Sequence, residues 1–170
     1  MKKRILLTSF DTWLNDQPSN SSDDLLQEVS QVESLPHDLK FLRLLPVDVM
    51  LASSWVIQKI SQLQPDYIIC CGMAASRQRL SVEMGANQGE NFLATGVNLE
   101  KLVSGTVATD ISSDCGKFVC EGLYYAVLDY LHQYQLTTRC IFVHVPVLNQ
   151  ENLVAIVADF LLIIHNLALA

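Results

Sequence analysis

The sequence has few basic residues and few charged residues of any kind. It contains 11 Lys and Arg against 18 Asp and Glu, which gives a formal net charge of -7, and charged residues make up only 17% of the chain. A chain this acidic gives nucleic-acid phosphates or an anionic membrane surface no electrostatic reason to bind. We therefore expect no nucleic-acid partner and no membrane partner.

Glycine and proline are also scarce, with 7 and 5 residues, and no stretch rich in Gly, Pro or Ser divides the chain. Half of the 170 residues are hydrophobic, which is enough to build one substantial core. We predict a single domain over residues 1–170.

The five cysteines are odd in number and have no paired Cys-x-x-Cys spacing, so neither a disulfide framework nor a zinc motif is indicated. The basic residues at 2–4 precede an apolar run that breaks at Thr8 and Ser9, too early for the core of a signal peptide. We expect free thiols, no metal, no cofactor and a cytoplasmic protein.

Apolar runs typical of strands alternate with amphipathic stretches typical of helices. Strands are predicted at 4–10, 40–45, 66–72, 79–86, 106–111 and 139–146, and helices after 20–22, after 46–48, over 99–103, from 118 and over 149–168. The run at 66–72 lacks alternation, as a central strand covered on both faces would. This order predicts an α/β fold around a mostly parallel or mixed sheet.

The last predicted helix is apolar almost all round. Its length is marginal for a membrane span, and Asp159, His165 and Asn166 interrupt it. A helix with two apolar faces needs a second partner, so we expect a homo-oligomer that buries part of it. The alternative is that residues 88–111 fold over the second face.

A candidate nucleophile, Cys120, follows a turn-forming stretch at 112–117. If Ser113 or Asp114 caps the helix, Cys120 lies in the second turn, beyond the strongest part of the helix dipole, and a reactive thiolate also needs an imidazolium partner. Cys115 is a competing nucleophile because it lies nearer the helix start. The other three cysteines lie inside predicted strands, where thiols pack: Cys70, Cys71 and Cys140.

His144 ends a buried strand just before a Val-Pro pair, which is where open α/β sheets place ligands. Glu83 lies on the polar side of an alternating strand that we expect to have one wetter face. Together with Cys120 they could form a Cys-His-Glu triad, in which the imidazole takes the thiol proton and the carboxylate orients the imidazole. A buried cysteine and a hydrogen-bonded histidine without catalysis would give the same pattern.

Three blocks of this sequence resemble the pyrrolidone carboxyl peptidases, the type I pyroglutamyl peptidases. Residues 72–87 are similar to the family's Gly-Leu-Ala-x-Gly-Arg to Glu-Arg-x-Ala-x-Asn block, with the Glu in register at Glu83. Residues 114–120 are similar to its Ala-Gly-x-Tyr/Phe-x-Cys block, and residues 142–146 to its Phe-x-His-Val-Pro block. Weaker likeness at 9–13 and around 45–47 and 64–66 extends the resemblance over most of the chain.

The resemblance implies a three-layer α/β/α sandwich of phosphorylase/hydrolase type and removal of N-terminal pyroglutamate from blocked peptides. It implies that Cys120 is the nucleophile, His144 the proton carrier and Glu83 its orienting carboxylate. Four further residues would form the substrate site: Phe10, Trp13, Gly72 and Arg77. Of these, the aromatic side chains of Phe10 and Trp13 would hold the lactam ring of pyroglutamate.

The chain departs from the family in its recognition elements. The stretch between Asn87 and the Cys120 helix is shorter, the loop at 9–13 loses its glycines and proline, and Met84 replaces an Arg. Two alternatives to the implied activity follow. One is a related cysteine amidase with another substrate, and the other is a non-catalytic binding or assembly protein on the same fold.

Overall fold

The computed structural model describes residues 1–170. Its elements in chain order are β1 (Arg4–Phe10), α1 (Ser21–Ser30), β2 (Asp38–Leu45), α2 (Val49–Leu63), β3 (Tyr67–Met73), β4 (Leu80–Glu83), β5 (Gly85–Gln88), β6 (Asn91–Ala94), α3 (Leu99–Leu102), β7 (Thr109–Ser112), α4 (Val119–Gln133), β8 (Arg139–Val145) and α5 (Leu153–Ala168). The predicted order of strands and helices is therefore confirmed. The strand predicted at 79–86 is divided into β4 and the start of β5, the last helix begins at Leu153 and not at 149, and the hairpin of β5 and β6 was not predicted.

Six strands form one sheet in the order β2-β1-β3-β8-β4-β7. All neighbours are parallel except β4 and β8, which run antiparallel and pair Ser81 with His144. The apolar run at 66–72 is the central strand β3, as predicted. Its pairing with β8 places Gly72 opposite His144, so the carboxyl ends of these two strands meet.

Helices cover both faces of the sheet and create two separate cores. On one face, side chains of α1, α3 and α5 pack against the sheet, and Leu26 and Phe160 are fully buried. On the other face, α2 and α4 pack against it, and Val56 and Leu123 are fully buried. The predicted three-layer α/β/α sandwich is confirmed.

Helix starts follow the expected side-chain caps at α1 and α2. Asn20 accepts a hydrogen bond from the backbone N–H of Ser22, and Asp48 accepts one from that of Leu51. Helix α4 differs, because it begins at Val119 and its N-cap residue, Phe118, makes no side-chain cap bond. The expectation of a cap at Ser113 or Asp114 is wrong.

The second face of α5 is partly covered by the chain between β6 and β7. Asp159 is buried and accepts hydrogen bonds from the backbone N–H groups of Val107 and Ala108 and from the Thr109 hydroxyl. Asn166 donates to the carbonyl of Leu102. Residues 97–109 therefore cover part of the second face of α5, which is the alternative that the sequence left open for residues 88–111.

The structure contains no helix whose length and apolar character would allow it to span a membrane.

Candidate active site

The centre of the site is a hydrogen bond between two buried side chains, Glu83 at the end of β4 and His144 near the end of β8. The Nδ1 atom of His144 lies 2.7 Å from Oε1 of Glu83. Glu83 is 0% exposed and His144 is 5% exposed. The expectation that Glu83 lies on a wetter face is wrong, because α4 and the chain before it cover β4 on the side expected to be open.

Arg77 connects this pair to the chain segment before α4. One guanidinium nitrogen donates to Oε1 of Glu83 at 2.5 Å, and the other donates to the backbone carbonyl of Asp114 at 2.5 Å. The hydroxyl of Tyr124 donates to the backbone carbonyl of Glu83 at 3.1 Å. The second carboxylate oxygen of Glu83 has no hydrogen-bond partner. Arg77 therefore holds Glu83 in place, a role that the resemblance did not specify.

Cys120 lies in the first turn of α4, one residue after the first helical position, and not in the second turn as expected. In this turn the backbone N–H groups have no partner within the helix and carry the positive end of its dipole. A Cβ atom built on Gly72 would lie 2.5 Å from the Cys120 sulfur. Since Gly72 is paired with His144, Cys120 lies over the strand ends that carry the histidine.

Burial raises the pKa of the Cys120 thiol to about 12, and the neighbouring Cys70 and Glu83 side chains add to the effect. The side chain's own backbone N–H acts in the opposite direction. Near neutral pH the resting side chain is therefore a thiol, so a nucleophilic thiolate forms only when a base removes the proton.

A cavity of about 550 Å³ opens beside Cys120 and His144. Three of the four predicted substrate-site residues line it: Phe10, Trp13 and Arg77. Gly72 does not, because it lies behind Cys120. The sequence reasoning did not assign the other lining residues to the site: Asn20, Val47, Met73, Ala74, Ser76, Cys115, Gly116, Phe118 and Val119.

Two of the side chains that sequence reasoning missed carry polar groups into the buried site. Tyr124 is a fully buried tyrosine of α4 whose hydroxyl donates to the backbone carbonyl of Glu83. Cys115 was considered only as a rival nucleophile. Its sulfur and donor atoms of Glu83 and His144 all lie within 4.8 Å of one another, a set that could hold a metal ion.

Three comparisons with known proteins all find similarity to the pyroglutamyl peptidases. Residues 96–159 match the family model of the pyroglutamyl peptidases. A pyrrolidone-carboxylate peptidase from Oceanobacillus iheyensis is 27% identical over 169 residues, with 85% of this chain and 84% of the relative covered. One from Thermoanaerobacter sp. (strain X514) is 25% identical over 171 residues, with 85% and 83% covered.

Solved structures share the whole fold at lower identity. Pyroglutamyl peptidase I from Bacillus amyloliquefaciens superposes with a TM-score of 0.87 at 21% identity, covering 100% of this chain and 97% of that one. Pyrrolidone carboxyl peptidase from Thermococcus litoralis gives 0.80 at 16% identity, covering 96% and 92%.

The fold is that of the solved pyroglutamyl peptidases, and the cavity is lined by Cys120 and His144, with the Glu83 carboxylate buried next to the histidine. The chain is similar to the pyroglutamyl peptidases in sequence and in fold, and the resemblance seen in its three sequence blocks is confirmed.

Replacing Gly72 by Ala should disrupt the site, because the added methyl would lie 2.5 Å from the Cys120 sulfur and 2.9 Å from the Phe142 ring. Such overpacking typically costs about 1–3 kcal/mol, or roughly 2–4 °C of Tm per kcal/mol in a chain of this size. Calorimetry measures the loss of stability, and the rate of Cys120 alkylation measures the disruption of the site. Gly96→Ala is the matched control, since its methyl meets nothing within 4 Å. Equal stability and alkylation in the two variants would contradict the close packing at Gly72.

The raised pKa of Cys120 predicts a distinctive alkylation profile. With a pKa of about 12, the rate of modification by iodoacetamide should rise about tenfold per pH unit from pH 7 to pH 10, whereas an ordinary cysteine levels off near pH 8.5–9. Mass spectrometry of the Cys120 peptide measures the rate, and circular dichroism checks that the fold persists. A rate that is already constant near pH 7 would mean a resting thiolate and would refute the raised pKa of Cys120.

Proposed function

We propose that this protein is a cysteine exopeptidase that removes N-terminal pyroglutamate from peptides. The observation that carries the proposal is the buried hydrogen bond of 2.7 Å between His144 and Glu83, beside a cavity that Cys120 also lines. Similarity to proteins named pyroglutamyl peptidases supplies the substrate class.

In the first step, the free imidazole nitrogen of His144 takes the proton from the Cys120 thiol. The other ring nitrogen donates to Glu83, which fixes the tautomer and stabilises the imidazolium as it forms. The thiolate then attacks the carbonyl carbon between pyroglutamate and the next residue, and a carbon–sulfur bond forms as the carbonyl electrons move to oxygen. This order of steps suits a thiol that rests in its protonated form.

The negative oxygen of the tetrahedral intermediate would accept hydrogen bonds from unpaired N–H groups in the first turn of α4. His144 returns its proton to the leaving amine as the carbon–nitrogen bond breaks, which leaves a thioester on Cys120. Water, activated by the same imidazole, hydrolyses the thioester and releases pyroglutamate. Each step uses side chains or backbone groups of this chain.

The aromatic residues of the cavity suit an uncharged lactam ring. Phe10 is 3% exposed and forms part of the wall, whereas Trp13 is 51% exposed and lies where a ligand could cover it. Stacking of an amide-containing ring between two aromatic faces removes apolar surface from water and is favourable. We assign the lactam ring to this slot.

The decisive test is the hydrolysis of a pyroglutamyl amide by wild type, Cys120→Ala and Cys71→Ala. Cys120→Ala should lose about 10⁶-fold in kcat, as expected when a triad nucleophile is removed. Cys71→Ala is the matched control, because Cys71 is buried in the core on the opposite face of the sheet, and it should keep most activity. Comparable losses in both variants would contradict the assignment of the nucleophile.

Glu83→Gln tests the orienting carboxylate. An amide can still hold the His144 ring but cannot stabilise its positive charge, so kcat should fall by up to about 10⁴-fold while KM changes little. Steady-state kinetics separate the two constants. An unchanged kcat would remove Glu83 from the triad.

The altered recognition loop favours a second candidate function, hydrolysis of a different amide. A panel of pyroglutamyl, prolyl and other aminoacyl amides distinguishes the two candidates, since only a pyroglutamyl peptidase should prefer the lactam. If the panel gives no turnover and Cys120 also resists alkylation at high pH, the protein is a non-catalytic member of this fold.

A homo-oligomer and a cytoplasmic location stay predictions. Val154 on α5 is 80% exposed, so a subunit contact through this helix would bury it. We expect light scattering to give a mass above that of one chain, and Val154→Lys to lower that mass. Ile163 is unsuitable for this test because it is fully buried. A wild-type mass equal to one chain would refute the oligomer.

A further inference from the structure

The side chains of Glu83, Cys115 and His144 form a compact cluster of metal-binding atoms. A carboxylate oxygen, the sulfur and a ring nitrogen all lie within 4.8 Å of one another, and all three residues are buried. The proposed hydrolysis uses Glu83 and His144 but gives no role to Cys115. The cluster could therefore bind a metal ion at the site where the proposed hydrolysis takes place.

The free oxygen of Glu83 is an independent sign of a missing partner. Its Oε1 atom is held by His144 and Arg77, whereas Oε2 is buried and has no hydrogen-bond partner. An unpaired buried carboxylate oxygen is costly, and a cation bound there would remove that cost.

Arg77 and a local turn place Cys115 in this cluster. The guanidinium bridges Glu83 and the carbonyl of Asp114, the residue before Cys115. The Asp114 side chain in turn accepts from the N–H of Gly116, which has the positive φ of 84° that glycine favours. The backbone on both sides of Cys115 is thus held by hydrogen bonds, which limits the movement of its side chain.

A thiolate, an imidazole and one carboxylate suit zinc, since magnesium and calcium prefer oxygen ligands alone. Zinc bonds of about 2.0–2.3 Å in a tetrahedron place neighbouring donor atoms about 3.3–3.7 Å apart. Side-chain movements of about 1 Å would close the cluster to that size. Cys115 and His144 also line the cavity, which gives the ion an entry path and a fourth position for water.

We propose that Glu83, Cys115 and His144 bind one zinc ion and that this ion inhibits the enzyme. Binding through Nδ1 of His144 breaks the hydrogen bond of that atom to Glu83 and leaves the ring proton on Nε2, while the Cys115 thiol proton is released to solvent. The neutral ring then has no free lone pair, so no base remains for Cys120. No electron is transferred, and a chelator reverses the reaction. The inhibition depends on the proposed function, whereas the binding does not.

Cobalt, a spectroscopic substitute for zinc, tests the binding under reducing conditions. Wild-type protein should bind one Co²⁺ per chain with a thiolate-to-cobalt absorption band, and Zn²⁺ should displace it. Cys115→Ala should lose the band and at least tenfold in affinity, because loss of a partner of a ligand alone costs about 10–100-fold. Cys120→Ala and Cys71→Ala should keep both, and circular dichroism confirms that each variant is folded.

The cobalt experiment can overturn the proposal in two ways. A band that persists in Cys115→Ala and disappears in Cys120→Ala would mean that the nucleophile is the ligand. Absence of binding to folded wild type at micromolar cobalt would mean that there is no site.

Activity measurements then test the inhibition. Zinc should inhibit pyroglutamyl amide hydrolysis by wild type, EDTA should restore it, and Cys115→Ala should need at least tenfold more zinc for the same fractional inhibition. Equal zinc sensitivity in the two proteins would refute the inhibitory role. A wild type without hydrolytic activity that still binds cobalt through Cys115 would refute the proposed function while supporting the metal site.

Discussion

The structure of this site depends on the burial of the Glu83 carboxylate. A charge without solvent must be paired, and removing one partner of a buried ion pair typically costs about 3–5 kcal/mol. Here His144 and Arg77 share one carboxylate oxygen, and Arg77 also reaches the chain before α4. The same interaction therefore fixes His144, Arg77 and the segment that leads to Cys120.

The sheet supplies the precision that this charge network needs. Strand β4 enters beside β8 in the antiparallel direction, so its last residue, Glu83, lies close to His144 although the two are far apart in sequence. Gly72 on the other neighbour of β8 leaves the space that the Cys120 sulfur occupies. Close packing thus positions the proposed nucleophile, whose helix has no hydrogen-bonded side-chain cap at its start.

The proposed hydrolysis and the proposed zinc binding use one set of side chains. With a proton on Cys120 and a free imidazole, the arrangement suits acyl transfer through a thioester. With Cys115 deprotonated, the same histidine and carboxylate suit a soft divalent cation. Since both uses need the lone pair of His144, they exclude each other, and metal availability would set the active fraction of the proposed enzyme.

The sequence by itself determined the alternation of strands and helices and the central strand at 66–72, because these depend on local periodicity. Its motifs, through their resemblance to a known family, indicated Cys120, His144 and Glu83 as candidate site residues. It misplaced the start of α4 because turn-forming residues at 113–117 satisfy one another, through the Asp114 cap on Gly116, without starting a helix. Only the tertiary structure decided that Glu83 is fully buried and that Cys115 meets it, since both follow from the antiparallel entry of β4 and from Arg77. Contacts between distant residues leave no local pattern for sequence reasoning to detect.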